Sequence, residues 1–343
     1  MRGYETQGKR SLPRAEERNS TPETKTTTLR RVKRHKPQYI MDERQKRRAK
    51  YKTWKKGYYH LSTDGKNKGI FHNDSQYVHA VNSISLLDLL FPVKVHSYEV
   101  MRSHLHLLLS GTGAVCVAVF DYLKARIDKC LREDGYPPLP DNYDFKLVPV
   151  ESEDQMRQNF VYIARNASEA RPIRPGAYLW GSSMILYSDV PRLFETVRAG
   201  DLSIRELRRI FRTHRPIPPD RPIHPGLRMA LPQGFVDTGV FYRVFPTATQ
   251  YETMLVKDYE SFVEIADLTG EDVSFSLEEA IDIVDQELTR FGKRLNDLTA
   301  DDRSRLAVEL NRKYRLDAST LSKVLFIPAH ILSQVLRSKR YGK

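Results

Sequence analysis

The chain has 343 residues, of which 40% are hydrophobic, and its formal net charge is +13. That length and composition allow two domains with hydrophobic cores of their own. No apolar run is long enough to cross a bilayer, and none follows the basic N-terminus as it would in a secretory signal. Cys116 and Cys130 form no zinc pattern and are interpreted as reduced packing residues. We therefore expect a cytoplasmic, nucleoid-associated protein without a membrane partner.

The positive charge is concentrated at the N-terminus. Residues 1–57 contain 19 Lys and Arg against 6 Asp and Glu, whereas the remaining 37 basic residues are balanced by 37 acidic ones. A run of like charges with few aliphatic side chains cannot bury enough surface to fold alone, so residues 1–56 are predicted to be a disordered arm that binds phosphates. A solvated tail without a specific role is the alternative. The candidate phosphate contacts are Arg30, Arg31, Lys33, Arg34, Arg47 and Arg48.

Residues 57–190 have the pattern of a mixed domain. Four strands are predicted in "YYHLST", "PVKVHSYEVM", "SHLHLLLSG" and "DFKLVPV". Helices are predicted from Asn73, across "TGAVCVAVFDYLKARIDKCLRE", and from about Glu153. This order predicts an α+β fold with the ferredoxin-like split arrangement, an antiparallel sheet backed by helices on one face.

Two histidines stand one residue apart in the third predicted strand. Because side chains at i and i+2 of a strand point to the same face, His104 and His106 project side by side while Leu105 and Leu107 point into a core. Two half-buried histidines satisfied by their neighbours are one interpretation. The other is a metal site, because neutral imidazole is a common ligand of divalent cations.

The helix after the fourth strand carries polar groups beside its apolar stripe. Ser152 and Gln155 fit a capping box. Tyr162 and Asn166 are four residues apart, so they are neighbours on one flank of this helix. A packing tyrosine is the plain interpretation of Tyr162, and a functional site at the edge of the sheet is the alternative.

Three stretches in this order, "YYHLSTDGKNKGIFHND", "VMRSHLHLLLSG" and "FVYIARN", resemble the single-tyrosine HUH transposases, and most closely the REP-associated tyrosine transposases. HUH stands for two histidines that flank a hydrophobic residue, here His104 and His106. The chain departs from the usual family pattern at "RS" (102–103), at Ala167 and in "WGSS" (180–183), where a glycine is inserted.

The resemblance implies a metal-dependent nuclease that cuts single-stranded DNA. By position, Tyr162 would be the nucleophile that forms a 5′-phosphotyrosine link and frees a 3′-hydroxyl, which allows strand transfer. His104, His106 and Asn166 would bind the ion, and Mg²⁺ and Mn²⁺ have equal weight for this ligand set. The expected partner is single-stranded or hairpin DNA, and a homodimer is compatible with this function.

The last 150 residues are predicted to contain a linker and a helical domain. Residues 191–240 include the short basic helix "DLSIRELRRIFRTH" and a proline-dense stretch that indicates a linker. Residues 241–343 have a helical pattern, with a helix-turn-helix near 302–338. A plain helical hairpin is the alternative. The candidate DNA contacts on the last helix are His330, Ser333, Gln334 and Arg337.

The intact set of two histidines, tyrosine and asparagine favours an enzyme. The second interpretation is a DNA-binding regulatory protein that keeps the fold without cutting. An RNA-binding relative is the third, because a basic arm binds phosphate whatever the sugar.

Overall fold

The computed structural model describes residues 42–63, 69–170 and 175–337. Its strands are β1 (Gly57–Thr63), β2 (Lys94–Val100), β3 (Leu105–Gly111), β4 (Phe145–Val150), β5 (Val197–Arg198), β6 (Pro222–His224) and β7 (Met229–Ala230). Its helices are α1 (Glu43–Lys52), α2 (Asp74–Ile84), α3 (Leu87–Leu90), α4 (Gly113–Glu133), α5 (Glu153–Ala170), α6 (Ile204–Phe211), α7 (Gly239–Val244), α8 (Ala248–Lys257), α9 (Tyr259–Thr269), α10 (Leu277–Arg290), α11 (Ala300–Tyr314), α12 (Ala318–Leu325) and α13 (Ala329–Arg337).

The main sheet has four strands in the order β2-β3-β1-β4, and all neighbours are antiparallel. With α2 between β1 and β2 and α4 between β3 and β4, this is the predicted split arrangement. The α+β class and the antiparallel sheet are therefore confirmed. In the register of β1 with β3, Ser62 lies opposite His106 and His60 lies opposite Leu108. These four side chains consequently share one face of the sheet.

Helices cover both faces of this sheet, so the prediction of helices on one face is wrong. Because side chains alternate along β3, Leu105, Leu107 and Leu109 pack in one core with α2 and α4, while Leu108 packs in a second core with α5. The fourth predicted strand and its helix were assigned correctly. The pattern did not show that α5 packs on the face of the sheet opposite to α2 and α4. An amphipathic stripe shows which side of a helix is buried but not which face of a sheet it packs against.

Residues 43–52 of the predicted arm form helix α1, so the prediction of disorder is wrong for this part of residues 1–56. Tyr51 is buried against Phe145, with ring centroids 5.6 Å apart, and its other neighbour is Trp54. Arg47 pairs with Asp144. The charge content did not reveal this helix, because it gives no weight to the aromatic residues Tyr51 and Trp54. It also says nothing about Asp144, an acidic partner that lies far away in the sequence. The predicted phosphate contacts Arg30, Arg31, Lys33 and Arg34 lie outside the described residues.

Residues 191–240 are folded onto the domain, so the prediction of a linker is wrong, although the basic helix α6 is confirmed. Strands β5, β6 and β7 form a small antiparallel sheet. Ile223, Met229 and Ala230 from this sheet are fully buried. The side chain of Asn82 on α2 accepts a hydrogen bond from the Ala230 N–H (2.8 Å) and donates one to the Arg228 carbonyl (2.9 Å). Prolines indicated a linker, but Pro222 is the first residue of β6, a position at which a strand tolerates proline.

The C-terminal helices form two groups, and the first group belongs to the core around α5. Phe241, Phe262 and Ile265 from α7 and α9 pack with Phe160 and Tyr162 of α5. Helices α10 to α13 build a third core together with Tyr259 and Val263. The predicted domain boundary near residue 241 therefore cuts through a continuous hydrophobic layer.

Helices α12 and α13 are joined by three residues, and their axes are bent by 120°. Phe326 takes a left-handed conformation in the turn, with φ of 54°. This angle and turn length are typical of a helix-turn-helix. Whether the pair binds DNA stays a prediction.

Candidate metal and tyrosine site

Three histidines form a chain of contacts on one face of the main sheet. Nε2 of His60 lies 3.0 Å from Nδ1 of His106, and Nε2 of His106 lies 2.9 Å from Nε2 of His104. His60 and His106 are fully buried, whereas His104 is partly exposed at the start of β3. The predicted pair is therefore confirmed as neighbours. His60 was not predicted, although its position in "YYHLST" places it on the same face as Ser62 and was a usable signal.

A carboxylate from a distant segment completes this cluster. Glu271 follows the end of α9, where Gly270 takes a left-handed conformation (φ 74°) and the Glu271 N–H donates to the Ala266 carbonyl (2.9 Å). Its Oε2 lies 3.4 Å from Nε2 of His106, and the ligand atoms of His104, His106 and Glu271 all lie within 4.8 Å of one another. Two nitrogens and a carboxylate oxygen at these separations fit one divalent ion after small side-chain shifts.

Tyr162 lies beside the histidines. Its ring centroid is 5.5 Å from that of His106 and 4.8 Å from that of Phe262. The hydroxyl donates a hydrogen bond to Oε2 of Glu271, and the other carboxylate oxygen accepts one from Ser62. The side chain is only 2% exposed. The structure thus brings together Tyr162, His104 and His106 as the sequence predicted, and it places the hydroxyl against a carboxylate that the sequence did not indicate.

Asn166 lies one turn further along α5 than Tyr162. It is buried, and its amide nitrogen donates to the backbone carbonyl of Tyr162 (2.9 Å). Its predicted role as the third metal ligand stays a prediction, with Glu271 as the rival. No sequence signal pointed to Glu271, because it is 109 residues from Tyr162 and "LTGED" has no recognisable ligand pattern.

Burial keeps the inner histidines neutral. It lowers the pKa of His60 to about 3, with a further lowering by the neighbouring His106. It also lowers the pKa of His106 well below its usual range, and His104 lowers it further. Neutral imidazoles keep a ring nitrogen with a free lone pair, which is the form that binds a metal ion.

The local helix geometry supports the position of Tyr162. The Gln155 N–H donates to the Ser152 hydroxyl (3.1 Å), which confirms Ser152 as the cap of α5. Gln155 bonds back to the Glu151 N–H (2.8 Å), one residue before the expected position. Met156 and Phe160 of the predicted apolar stripe are buried. Tyr162 is buried as well, so the flank that the sequence assigned to polar groups is also covered.

A second buried acid lies on the same sheet. Glu99 of β2 is opposite His106 in the register and fully buried, and neither carboxylate oxygen has a hydrogen-bond partner among the described residues. Burial raises its pKa well above the usual range. Its carboxyl group occupies the space that a Cβ at position 181 would need, so the glycine inserted in "WGSS" is required there.

A cavity of about 220 Å³ adjoins the site, and its walls include Ser62 and Glu271. Arg44, Arg47 and Lys146 also line it, together with Asp144, which pairs with both arginines. Arg48 instead pairs with Asp121 of α4. Both Arg47 and Arg48 therefore belong to a folded helix, and their predicted DNA contacts stay predictions.

Three of the four candidate residues on α13 point outward. His330, Gln334 and Arg337 are exposed, which matches the expected outward face. Ser333 is half-buried, and its hydroxyl donates to the Ala329 carbonyl (2.9 Å). Within the described residues, no single helix has the length and apolar composition of a membrane span; α12 and α13 reach it only when this bent pair is taken together.

The chain has little similarity to known proteins. No family model matches the chain, and no curated protein matches it. Among solved structures, the chain is similar to that of a REP-associated tyrosine transposase bound to a REP hairpin, with a TM-score of 0.32 and 15% sequence identity. The match covers 40% of this chain and 81% of that chain. A similarity of this size does not show the family, so a proposed function has to rest on the residues of the site.

Proposed function

We propose that the chain is a metal-dependent endonuclease and strand transferase for single-stranded, hairpin-bearing DNA that acts through a covalent 5′-phosphotyrosine intermediate. One observation carries the proposal. The Tyr162 hydroxyl and Nε2 of His106 meet at the same carboxylate oxygen, Oε2 of Glu271, with His104 next to them. A phenol beside neutral imidazoles and a carboxylate is a set that suits phosphodiester transesterification.

The ion would be held by Nε2 of His104, Nε2 of His106 and the carboxylate of Glu271, with Asn166 as the rival third ligand. Mn²⁺ and Mg²⁺ both suit the proposal, because imidazole favours the softer ion and the carboxylate favours the harder one. When bound, such an ion supplies charge that polarises the scissile phosphate.

The remaining chemistry belongs to side chains of the chain. The Tyr162 oxygen would form a bond to phosphorus while the bond from phosphorus to the 3′-oxygen breaks. The 3′-oxygen would leave as a hydroxyl by taking the proton that Glu271 has received from Tyr162. A phenol has an ordinary pKa of about 10, so the attack needs a group that takes its proton. Glu271 already accepts a hydrogen bond from the Tyr162 hydroxyl, so its carboxylate is placed to receive that proton. Reversal of these steps with another 3′-hydroxyl would join two strands.

DNA would enter through the cavity at the edge of the site. Arg44 and Lys146 line it, and Ser62 and Glu271 are part of its wall next to the histidines. Positive side chains at the mouth of a cleft attract a phosphate backbone. Because Tyr162 is only 2% exposed, a DNA phosphate reaches its hydroxyl only after side chains that cover the ring, such as Phe262, move aside.

A DNA-binding regulatory protein is the second candidate. The burial of the Tyr162 hydroxyl behind Glu271 favours it, since a tyrosine that stays in this position reaches no phosphate. In that case the exposed residues His330, Gln334 and Arg337 would bind DNA without cleavage.

Covalent trapping separates these candidates. The protein is incubated with pooled, 5′- or 3′-labelled hairpin DNA and Mn²⁺, and adducts are resolved on denaturing gels. We expect a wild-type adduct through the DNA 5′ end, and none with Tyr162→Phe, because only the phenolic oxygen is lost. Tyr251→Phe is the matched control, since Tyr251 is also buried but its hydroxyl has no hydrogen-bond partner among the described residues. An adduct that survives in Tyr162→Phe would refute the assignment.

A further inference from the structure

Lys146 lies on the edge strand β4, at the end of a row of side chains that crosses the main sheet. Ser62 is opposite His106 in the register of β1 with β3, and it is opposite Lys146 in the register of β1 with β4. Residues directly opposite each other in a sheet have their side chains on the same face. The chain neighbours of Lys146 agree, because Phe145 and Leu147 pack in the core on the other face. Lys146 therefore projects on the face that carries the histidine cluster.

The Lys146 side chain extends towards the segment that contains Glu271. Its ammonium group lies against Gly270, so closely that a Cβ at position 270 would overlap with Nζ. Lys146, Gly270 and Glu271 all line the cavity of about 220 Å³. The ammonium group is thus one residue away from the carboxylate that contacts the Tyr162 hydroxyl.

This cavity has one positive charge in excess. Its charged lining residues are Arg44, Arg47, Lys146, Asp144 and Glu271. Asp144 pairs with both arginines, and the Glu271 carboxylate accepts hydrogen bonds from two hydroxyl groups. Among the described residues, the Lys146 ammonium has no ion pair and no hydrogen bond with either carboxylate. Lys146 is half-buried, and a charge that is partly removed from water costs free energy unless it is paired. An anion in the cavity would supply the partner.

A purely structural role is the alternative interpretation of Lys146. Helix α9 ends at Thr269, next to Gly270, and a positive charge near the C-terminus of a helix is favourable. Within the part of the chain that the structure describes, however, the ammonium group donates no hydrogen bond to a carbonyl of this helix. The two roles differ in their consequences, because only a ligand-binding lysine becomes covered when the ligand is added.

We propose that Lys146 binds a phosphate of the DNA strand that is a neighbour of the scissile phosphate. Lys146 and His106 are two strand spacings apart, about 10 Å between their backbones, so Lys146 is placed for a phosphate other than the one at the ion. A nucleic-acid strand carries one charge per nucleotide at regular spacing, so a strand bound at the ion can also reach the cavity. An ammonium group is a point charge that contacts phosphate without distinguishing bases. The inference rests on the proposed function for the place of cleavage, but phosphate binding itself needs neither metal nor cleavage.

The first test measures the acetylation rate of each lysine in the full wild-type chain by mass spectrometry, with EDTA present. Saturating oligothymidylate should slow the acetylation of Lys146 several-fold, because a bound phosphate covers its ammonium group. Lys94 is the matched control. It lies on β2, the other edge strand of the same sheet, and it already pairs with Asp237 (2.7 Å). Its acetylation rate should not change.

The second test compares the affinity of full-chain variants for fluorescent oligothymidylate at several salt concentrations. Lys146→Gln should bind about tenfold more weakly at low salt, the size of one hydrogen bond to a charged group. Its log–log salt slope should be less steep by about 0.7, the contribution of one phosphate contact on a single strand. Lys146→Arg keeps the charge and should retain most of the affinity, and Lys94→Gln should bind like wild type. Thermal melting of each variant separates loss of affinity from loss of folding.

Unchanged acetylation of Lys146 in the presence of bound oligothymidylate would overturn the proposal, even if Lys146→Gln fails to fold. Wild-type affinity and salt slope in folded Lys146→Gln would overturn it too, as would an equal loss in Lys94→Gln. Protection by oligouridylate and not by oligothymidylate would overturn DNA as the ligand. None of these results touches the covalent trapping with Tyr162. A wild type that binds no DNA would instead overturn the proposed function, and the role of Lys146 with it.

Discussion

The candidate site has a strand side and a helix side, and they differ in how they are held. On the strand side, β1 and β3 are hydrogen-bonded neighbours, and their histidines contact one another at 2.9 and 3.0 Å. On the helix side, Tyr162 of α5 meets Glu271, which follows the last turn of α9. A paired strand fixes its side chains through the ladder, whereas a residue just after a helix depends on the packing of that helix. We therefore expect the proposed metal site to be preorganised and the access to the proposed nucleophile, Tyr162, to be adjustable.

The largest effect is expected from a substitution of His104, a proposed ion ligand on the strand side. His104→Ala should lower the rate of adduct formation by about 1,000-fold or more, because loss of an ion ligand removes several kcal/mol of charge stabilisation. Since His104 is partly exposed, the free energy of unfolding should change little. Single-turnover adduct formation and urea unfolding are the measurements. A wild type that is equally active in EDTA would contradict the metal site.

The N-terminal boundary can be tested with two truncations. A chain that begins at Asp42 should keep its stability, whereas one that begins at Gly57 loses Tyr51 and should be destabilised by about 3–5 kcal/mol, as for the loss of a large buried aromatic side chain. The first truncation should also flatten the salt dependence of DNA binding, since basic residues that contact phosphates set this slope. Equal stability of both chains would show that α1 is dispensable to the strand side.

The helix side is tested by two substitutions at Glu271. Glu271→Gln keeps an oxygen that can bind the ion, but the amide is a poor proton acceptor, so adduct formation should slow by about 100-fold, the size of a general-base contribution. Glu271→Ala should in addition weaken Mn²⁺ binding by about tenfold or more. Adduct kinetics and Mn²⁺ titrations measure these effects. Faster adduct formation in Glu271→Ala would mean that the carboxylate mainly blocks the tyrosine.

The smallest expected effect is the pH dependence of stability that is caused by Glu99 on the strand side. Burial raises the pKa of the Glu99 carboxyl. The stabilisation by this group is therefore complete below the ordinary glutamate pKa of about 4.3 and is lost as the pH rises towards the raised value. Relative to wild type, Glu99→Gln should therefore gain about 1 kcal/mol or more in free energy of unfolding between pH 5 and pH 8.

His60→Gln serves as the control of opposite sign. The pKa of His60 is lowered to about 3, so its contribution is present above the ordinary histidine pKa of about 6.5 and is lost as the pH falls. This variant should gain stability relative to wild type at pH 5 and not at pH 8. Urea unfolding at both pH values measures the free energy of each variant relative to wild type. If this difference changed in the same direction with pH in both variants, one of the two side chains could not be buried as described.

Much of the main sheet was predictable, because strand and helix periods are local. The alternation in "SHLHLLLSG" predicted the strand, its buried leucines and the shared face of the histidines, and the structure confirms each of them. The stripe on α5 likewise predicted that Met156 and Phe160 would be buried. Predictions of unstructured chain that relied on composition alone were wrong. The charge of residues 1–56 and the prolines of residues 215–234 indicated unstructured chain, yet Tyr51 and Ile223 are core residues.

By itself the sequence determined which candidate side chains lie on which element. It placed two histidines on one face of β3 and a tyrosine on α5, the helix after β4. These follow from repeats of two and about 3.6 residues, which side chains within one element obey whatever surrounds them. Only the tertiary structure decided the rest of the site. Glu271 reaches Tyr162 because α9 packs on α5, and His60 contacts His106 because β1 pairs with β3 in one particular register. Such contacts depend on how elements far apart in the chain pack, and no local pattern encodes that choice.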